Sequence, residues 1–323
     1  MRRRGAGGFA VERLLRLGVP LVLVTLLLNP LPQWLRLRAA DAGYHESYLG
    51  FLPRFYDVHL EPEEFPFVVQ GEHFETGHLW FVVLLLTFSL LLVPLYRYLP
   101  HARVRRVGDR VAEAAVRRRG LVLLPALVFA AICAFARLEQ EYAGWHRWSY
   151  LLFFVAGYVL ACDERFRTVL RREAAVAAWL GVLVFVAAAP GFALADEPFT
   201  EMTVLATVSR ALFGAAGWCL VVAVTGLLDR RRLKRSHDEG DAAAGPGRGR
   251  LYGYLAAAVL PLYVLHQPIV VAAAYFVTGW PAPIPVKYLA IVAISLTVTF
   301  LAYDLLVRRT RVTRFLFGMR PRA

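Results

Sequence analysis

Gly77-His78-Leu79-Trp80-Phe81 opens a run with no charged side chain from Leu79 to Tyr96, and Arg97 closes it. About 18 residues at 1.5 Å each nearly cross a hydrocarbon core of roughly 30 Å, so the run predicts a membrane-spanning helix. A histidine and a tryptophan stand at one end, and a dense arginine cluster begins beyond the other. The expected helix therefore has a polar lip that can carry chemistry.

The composition agrees. The 323 residues are 58% hydrophobic and 19% charged, with a mean hydropathy of +0.51. Soluble domains sit nearer about 45–50% apolar and about 25% charged. A net charge of +13 and a pI near 10.1 would suit a nucleic-acid partner, but the placement of the charges argues otherwise. Cys133, Cys162 and Cys219 all lie in apolar runs without CxxC spacing, so neither a disulfide framework nor a zinc site is expected.

Taken outward from the opening stretch, the chain repeats its pattern. A basic start with Arg13 and Arg16 precedes an apolar run from Leu17 to about Leu35. That run ends in Asn29-Pro30-Leu31-Pro32 with no small-residue cleavage site, so it reads as a proline-bent first membrane helix. Residues 36–77 form an acidic, aromatic-rich loop. Further uncharged runs lie at about 120–136, 148–162, 174–195, 202–228, 251–280 and 288–303. A basic loop fills 103–119, and a Gly/Ala/Arg/Asp-rich linker at 229–250 is expected to be flexible.

These runs predict an all-α, multi-pass transmembrane helical bundle of about eight helices. Alternating the loops puts 30 of the 37 Lys and Arg residues on the side of the N-terminus and 6 on the other, with Arg210 inside a helix. The positive-inside bias then places both termini in the cytoplasm. The expectation is one membrane-embedded domain over 1–323 in the cell inner membrane, with an extracytoplasmic loop at 36–77 and a cytoplasmic loop at 229–250. Charge here sets topology, and no nucleic-acid partner is expected.

Few residues could carry chemistry. His266 lies in Leu260-Pro261-Leu262-Tyr263-Val264-Leu265-His266-Gln267-Pro268, deep in an uncharged run whose prolines free backbone carbonyls. It is either a general base or a neutral imidazole bonded to Tyr263 or a carbonyl. His78 is either a reactive imidazole oriented by Glu72 or Glu75, or an interfacial residue beside the belt tryptophan Trp80. Trp145-His146-Arg147-Trp148 reads as part of the same aromatic belt. Arg13 and Arg16, three apart, share a helix face and either grip phosphates or anchor the cytoplasmic end. Arg210 needs a partner inside the membrane, either a substrate or an acid such as Glu201. Asp304 and Arg308 are spaced for an ion pair. No phosphate-binding glycine loop, metal cluster or GxSxG elbow occurs, so no metal and no bound cofactor are expected.

Three of these motifs fall in the order seen in one family. Arg13-Leu14-Leu15-Arg16 before a proline-containing helix resembles the RxxR motif of the acyltransferase 3 family of membrane O-acyltransferases. Gly77-His78-Leu79-Trp80-Phe81 before a Leu-rich helix is similar to its glucans biosynthesis protein C-like branch. Tyr263-Val264-Leu265-His266-Gln267-Pro268 resembles the family's late Y-x-L-H element. The resemblance implies transfer of an acyl group, commonly from acyl-CoA as co-substrate at the cytoplasmic side, to a carbohydrate hydroxyl. It gives Arg13 and Arg16 to the donor phosphates and puts His78 and His266 in the site as its catalytic candidates. Trp80, Arg210 and Tyr263 are expected to line the substrate. The expected partners are the bilayer, the acyl donor and the carbohydrate acceptor.

One departure stands out. The family usually has about ten helices and a histidine on the first, whereas here RxxR comes within 16 residues of Met1, so the expectation is that the family's first two helices are missing. Either the start is misplaced or the chain is an inactive remnant. The rival reading is a transporter or flippase for a carbohydrate-linked lipid, with Arg210 and His266 along a path through broken helices. A third is a non-catalytic membrane partner.

Overall fold

The computed structural model describes residues 5–98, 100–238 and 246–319. The chain divides into two compact units, one of Met1–Arg97 with Gly245–Ala323 and one of Tyr98–Ala244.

The first unit begins with α1 (Gly5–Arg13), a π-helical turn (Leu14–Gly18), α2 (Val19–Leu27) and α3 (Pro30–Ala40). Together these make one 36-residue apolar span. The helix is interrupted where the prolines fall, as α2 stops at Leu27 and Pro30 starts α3 with its missing N–H at an orphan position. The π turn falls across Arg13-Leu14-Leu15-Arg16 and, being wider than an α turn, separates the two arginines further round the axis than α spacing implies.

The acidic stretch after α3 is a structured cap. Its helix α4 (Tyr48–Phe55) is N-capped by Ser47, whose hydroxyl accepts from the Gly50 N–H at 3.1 Å. Phe51 and Phe55 are fully buried in it. A short antiparallel hairpin, β1 (His59–Leu60) with β2 (Val69–Gln70), follows. The Trp34 indole donates to the Glu46 carbonyl at 3.0 Å, tying the cap to α3. A 3₁₀ turn (Gly77–Leu79) then leads into α5 (Trp80–Tyr98), the run that opens this reading of the chain.

The second unit holds α6 (His101–Arg117), α7 (Pro125–Phe135), α8 (Arg147–Cys162), α9 (Glu164–Leu194) and α10 (Val204–Asp238). The expected basic loop at 103–119 is α6. Its apolar residues recur at helical spacing, with Val104, Val107 and Val111 exposed while Ala112 and Ala115 are buried. From α9, Arg172 donates to the carbonyls of Ala115 at 2.8 Å and Val116 at 2.6 Å, placing a cation on the carbonyl end of α6. The α9 and α10 helices approach until a Cβ at Gly226 would lie 2.2 Å from the Leu170 carbonyl oxygen. Trp145 is half-buried and packs at 4.7 Å from Phe213 and 6.4 Å from Phe129, while Trp148 is exposed.

The first unit resumes with α11 (Pro246–Thr278), α12 (Ile284–Ala302), a second π-helical turn (Tyr303–Val307) and α13 (Arg311–Leu316). Pro261 and Pro268 lie within α11 without ending it. The core here joins Leu17, Val24, Leu79, Val82, Val264 and Tyr303. The expected flexible linker at 229–250 begins inside α10, which runs to Asp238; residues 239–245 lie outside those described.

All eight expected runs are helical, and the fold is a multi-pass helical membrane bundle. Among the described residues six helices are long and apolar enough to cross, with a seventh if α6 and α7, bent by 120°, count as one span. The 16 residues of α8 reach only about 24 Å, and the 11 of α7 reach less.

Candidate active site

Within the first unit, the lip of α5 meets the proline-flanked segment of α11. The Gly77 backbone has φ +52°, and a Cβ there would lie 3.2 Å from Gln267 Oε1. The residue that starts the turn must therefore lack a side chain. Gln267 Oε1 accepts the His78 backbone N–H at 3.0 Å, and the Tyr263 hydroxyl donates to the His78 carbonyl. From the break between α2 and α3, buried Asn29 donates through Nδ2 to the Thr76 carbonyl at 2.9 Å. The backbone around His78 is thus gripped by three side chains, two from α11 and one from the α2–α3 break.

This grip leaves the imidazoles for other work. His78 and His266 lie edge to face with ring centroids 5.1 Å apart, and the Tyr263 ring is 5.4 Å from His78. His266 Nδ1 is 2.6 Å from the Tyr263 carbonyl, which can only accept. Nδ1 therefore carries the proton, and in the neutral ring Nε2 keeps its lone pair. Both ring nitrogens of His78 are buried without a hydrogen-bond partner among the described residues. An unsatisfied buried polar group costs about 1–3 kcal/mol, a cost that native proteins concentrate at functional sites.

The carboxylates expected to orient His78 are engaged elsewhere. Glu75 pairs with Arg36 at 2.8 Å, and Glu72 lies 3.5 Å from His73. Arg36, one helical face further along α3, out-competes a neutral imidazole for the glutamate because it is always charged.

A family model described as an acyltransferase domain matches residues 1–304. The chain belongs to the acyltransferase 3 family. Membership makes acyl transfer within a multi-pass membrane protein its class of activity. No curated protein and no solved structure matches it.

In this acyltransferase, His78, Tyr263 and His266 are brought together, and Trp80 begins the helix that follows the His78 turn, its ring 5.8 Å from Phe81. Arg13 lies at the other end of the α1–α3 span, its guanidinium 4.9 Å over Phe9 and its Nε buried without an acceptor among the described residues. Arg16 lies three residues on, within the π turn. Arg210 belongs to the second unit, where it is fully buried. Its guanidinium donates to the carbonyls of Pro198 at 2.9 Å, Glu201 at 2.7 Å and Ala134 at 3.3 Å. The partnership with Glu201 is therefore to its backbone and not to its carboxylate. Asp304 and Arg308 pair at 3.2 Å, as their spacing implies.

Two residues that hold the His78 backbone escaped the sequence reading. Asn29 and Gln267 are amides immediately before Pro30 and Pro268 in otherwise apolar runs. Proline frees backbone groups in a helix and a neighbouring amide can serve them, so polar-before-proline was the available signal.

Proposed function

We propose that this protein is an O-acyltransferase that moves an acyl group from a cytoplasmic thioester donor, acyl-CoA, to a carbohydrate hydroxyl. The observation that carries the reading is the pair of imidazoles at 5.1 Å, one with its tautomer set and one with its nitrogens unspent. The Leu-rich helix after Gly77-His78-Leu79-Trp80-Phe81 favours the glucans biosynthesis protein C-like branch and hence a sugar acceptor.

Arg13 and Arg16 bind the donor phosphates at the cytoplasmic end. The span from Arg16 to Asn29 is about 20 Å, a gap suited to a long flexible pantetheine arm. His266 Nε2 takes the proton of the acceptor hydroxyl as its oxygen attacks the thioester carbonyl. The C–O bond forms, the C–S bond breaks, and the proton passes to the leaving thiolate. His78 lies alongside to hydrogen-bond the acceptor or the developing oxyanion, with Tyr263 and Trp80 lining the acceptor.

The test uses the full chain in nanodiscs with radiolabelled acetyl-CoA, scoring transfer or donor hydrolysis. His266→Gln is expected to lower kcat by about 10²–10⁴-fold with the donor KM unchanged. Replacing Arg13 and Arg16 together by Ala should raise the donor KM. Full activity in His266→Gln sinks the base assignment, and unaltered donor binding in the double variant sinks the donor site.

A further inference from the structure

The end of the first unit builds a second feature that the acyl-transfer scheme does not use. After α12 the chain makes its π turn, and α13 folds back as a hook. Thr310 N-caps α13 by accepting from the Thr313 N–H at 3.0 Å. At the other end the Gly318 N–H donates to the Phe315 carbonyl at 3.0 Å and the Met319 N–H to that of Arg314 at 2.8 Å. With Gly318 at φ +68°, this is a Schellman closure. The hook docks on the turn that carries Arg16, since a Cβ at Gly318 would lie 2.2 Å from the Arg16 carbonyl oxygen and 3.1 Å from Pro20 Cγ.

Between the hook and the start of α11 lies a cavity of about 390 Å³, lined by Gly253, Tyr254, Ala257, Tyr303, Arg308, Arg314 and Met319. The lining carries two guanidiniums and no carboxylate. Asp304, just behind it, accepts from the Tyr254 hydroxyl at 3.1 Å and pairs with Arg308, whose guanidinium lies 5.3 Å over the Tyr254 ring. That arrangement holds Arg308 in one orientation while the Arg314 backbone is held by the hook's closure. Arg308, Arg314 and Met319 all lie beyond residue 304, where the acyltransferase match ends.

We propose that this cavity is a subsite for a phosphate monoester, with Arg314 and Arg308 as its ligands. Planar guanidinium forks match phosphate oxygens in pairs, and two forks facing one cavity exceed what charge anchoring at a membrane surface requires. The inference rests on the donor reading for its first choice of ligand. A coenzyme A thioester carries a diphosphate and a separate ribose 3′-phosphate. With Arg13 and Arg16 assigned to the diphosphate, the cavity takes the 3′-phosphate. The same chemistry is also offered by the headgroup of phosphatidic acid.

The experiment compares acetyl-CoA with its 3′-dephospho analogue by equilibrium binding to the full chain in phosphatidylcholine nanodiscs. In parallel, native mass spectrometry reads retention of phosphatidic acid added to the nanodiscs. Wild type is expected to prefer acetyl-CoA, and Arg314→Gln to weaken acetyl-CoA by about tenfold or more while leaving the analogue within a factor of about two. Gly318→Ala, which removes no charge but undocks the hook, is expected to abolish the same preference. Loss of phosphatidic acid retention in Arg314→Gln, with acetyl-CoA unaffected, supports the subsite with a lipid as its source. Neither ligand responding to Arg314→Gln in a protein of wild-type melting temperature overturns the proposal. Wild type that binds no acetyl-CoA overturns the donor reading, and the subsite is then decided by phosphatidic acid alone.

Discussion

The Tyr263 hydroxyl donates to the backbone carbonyl of His78 across 185 residues of sequence. Tyr263 also lends its own carbonyl to His266 Nδ1. One residue thus positions both imidazoles, one through its side chain and one through its backbone. Tyr263→Phe keeps the ring and the carbonyl and removes only the first link. Acyl transfer should fall by about tenfold, with the melting temperature lowered by no more than the loss of one hydrogen bond of about 1 kcal/mol implies. Full activity in the purified variant would show that the His78 backbone is placed without it.

Arg210 is the fully buried cation of the second unit, and its donors close on three backbone carbonyls. Arg210→Met should fill similar space yet strand those carbonyls, destabilising the unit by about 2–4 kcal/mol. Thermal unfolding in detergent checks this. A melting temperature equal to wild type would remove Arg210 as the tie between α10, α7 and the loop before α10.

The cap outside α3 should weaken in acid. The Tyr44 hydroxyl, at 2.5 Å, holds the Glu46 carboxylate below the usual glutamate range, assisted by Arg54 at 3.0 Å. A depressed folded-state value means the stabilisation is fully present above the unfolded glutamate value of 4.5 and is lost as pH falls through the lower folded value. Because Trp34 bonds to the Glu46 carbonyl, the emission removed by Trp34→Phe should shift red over that window in wild type. In Glu46→Gln that emission should not vary with pH there. An identical titration in both proteins would contradict the assignment.

Sidedness follows from the arginine distribution. Cysteines at Glu63 and Arg118, introduced singly with the native cysteines replaced, should react with an impermeant maleimide from opposite faces of sealed membranes. Labelling of both from one face would refute the threading.

Sequence alone determined the membrane character and the helices, because hydropathy acts locally on each run and needs no partner to be read. It also marked His78, Tyr263 and His266, since polar groups in an apolar run are costly wherever they sit. It did not reveal that the acidic loop folds into a cap, that 103–119 is a helix, or that a π turn begins between the arginines of the RxxR motif. Those depend on contacts such as Trp34 with Glu46 and Arg172 with the end of α6. Only the tertiary structure decided which polar groups pair: Glu75 with Arg36 and not with His78, and Arg210 with carbonyls and not with a carboxylate. Pairing is a competition among all groups within a few ångströms, and distance in space is not written into distance along the chain.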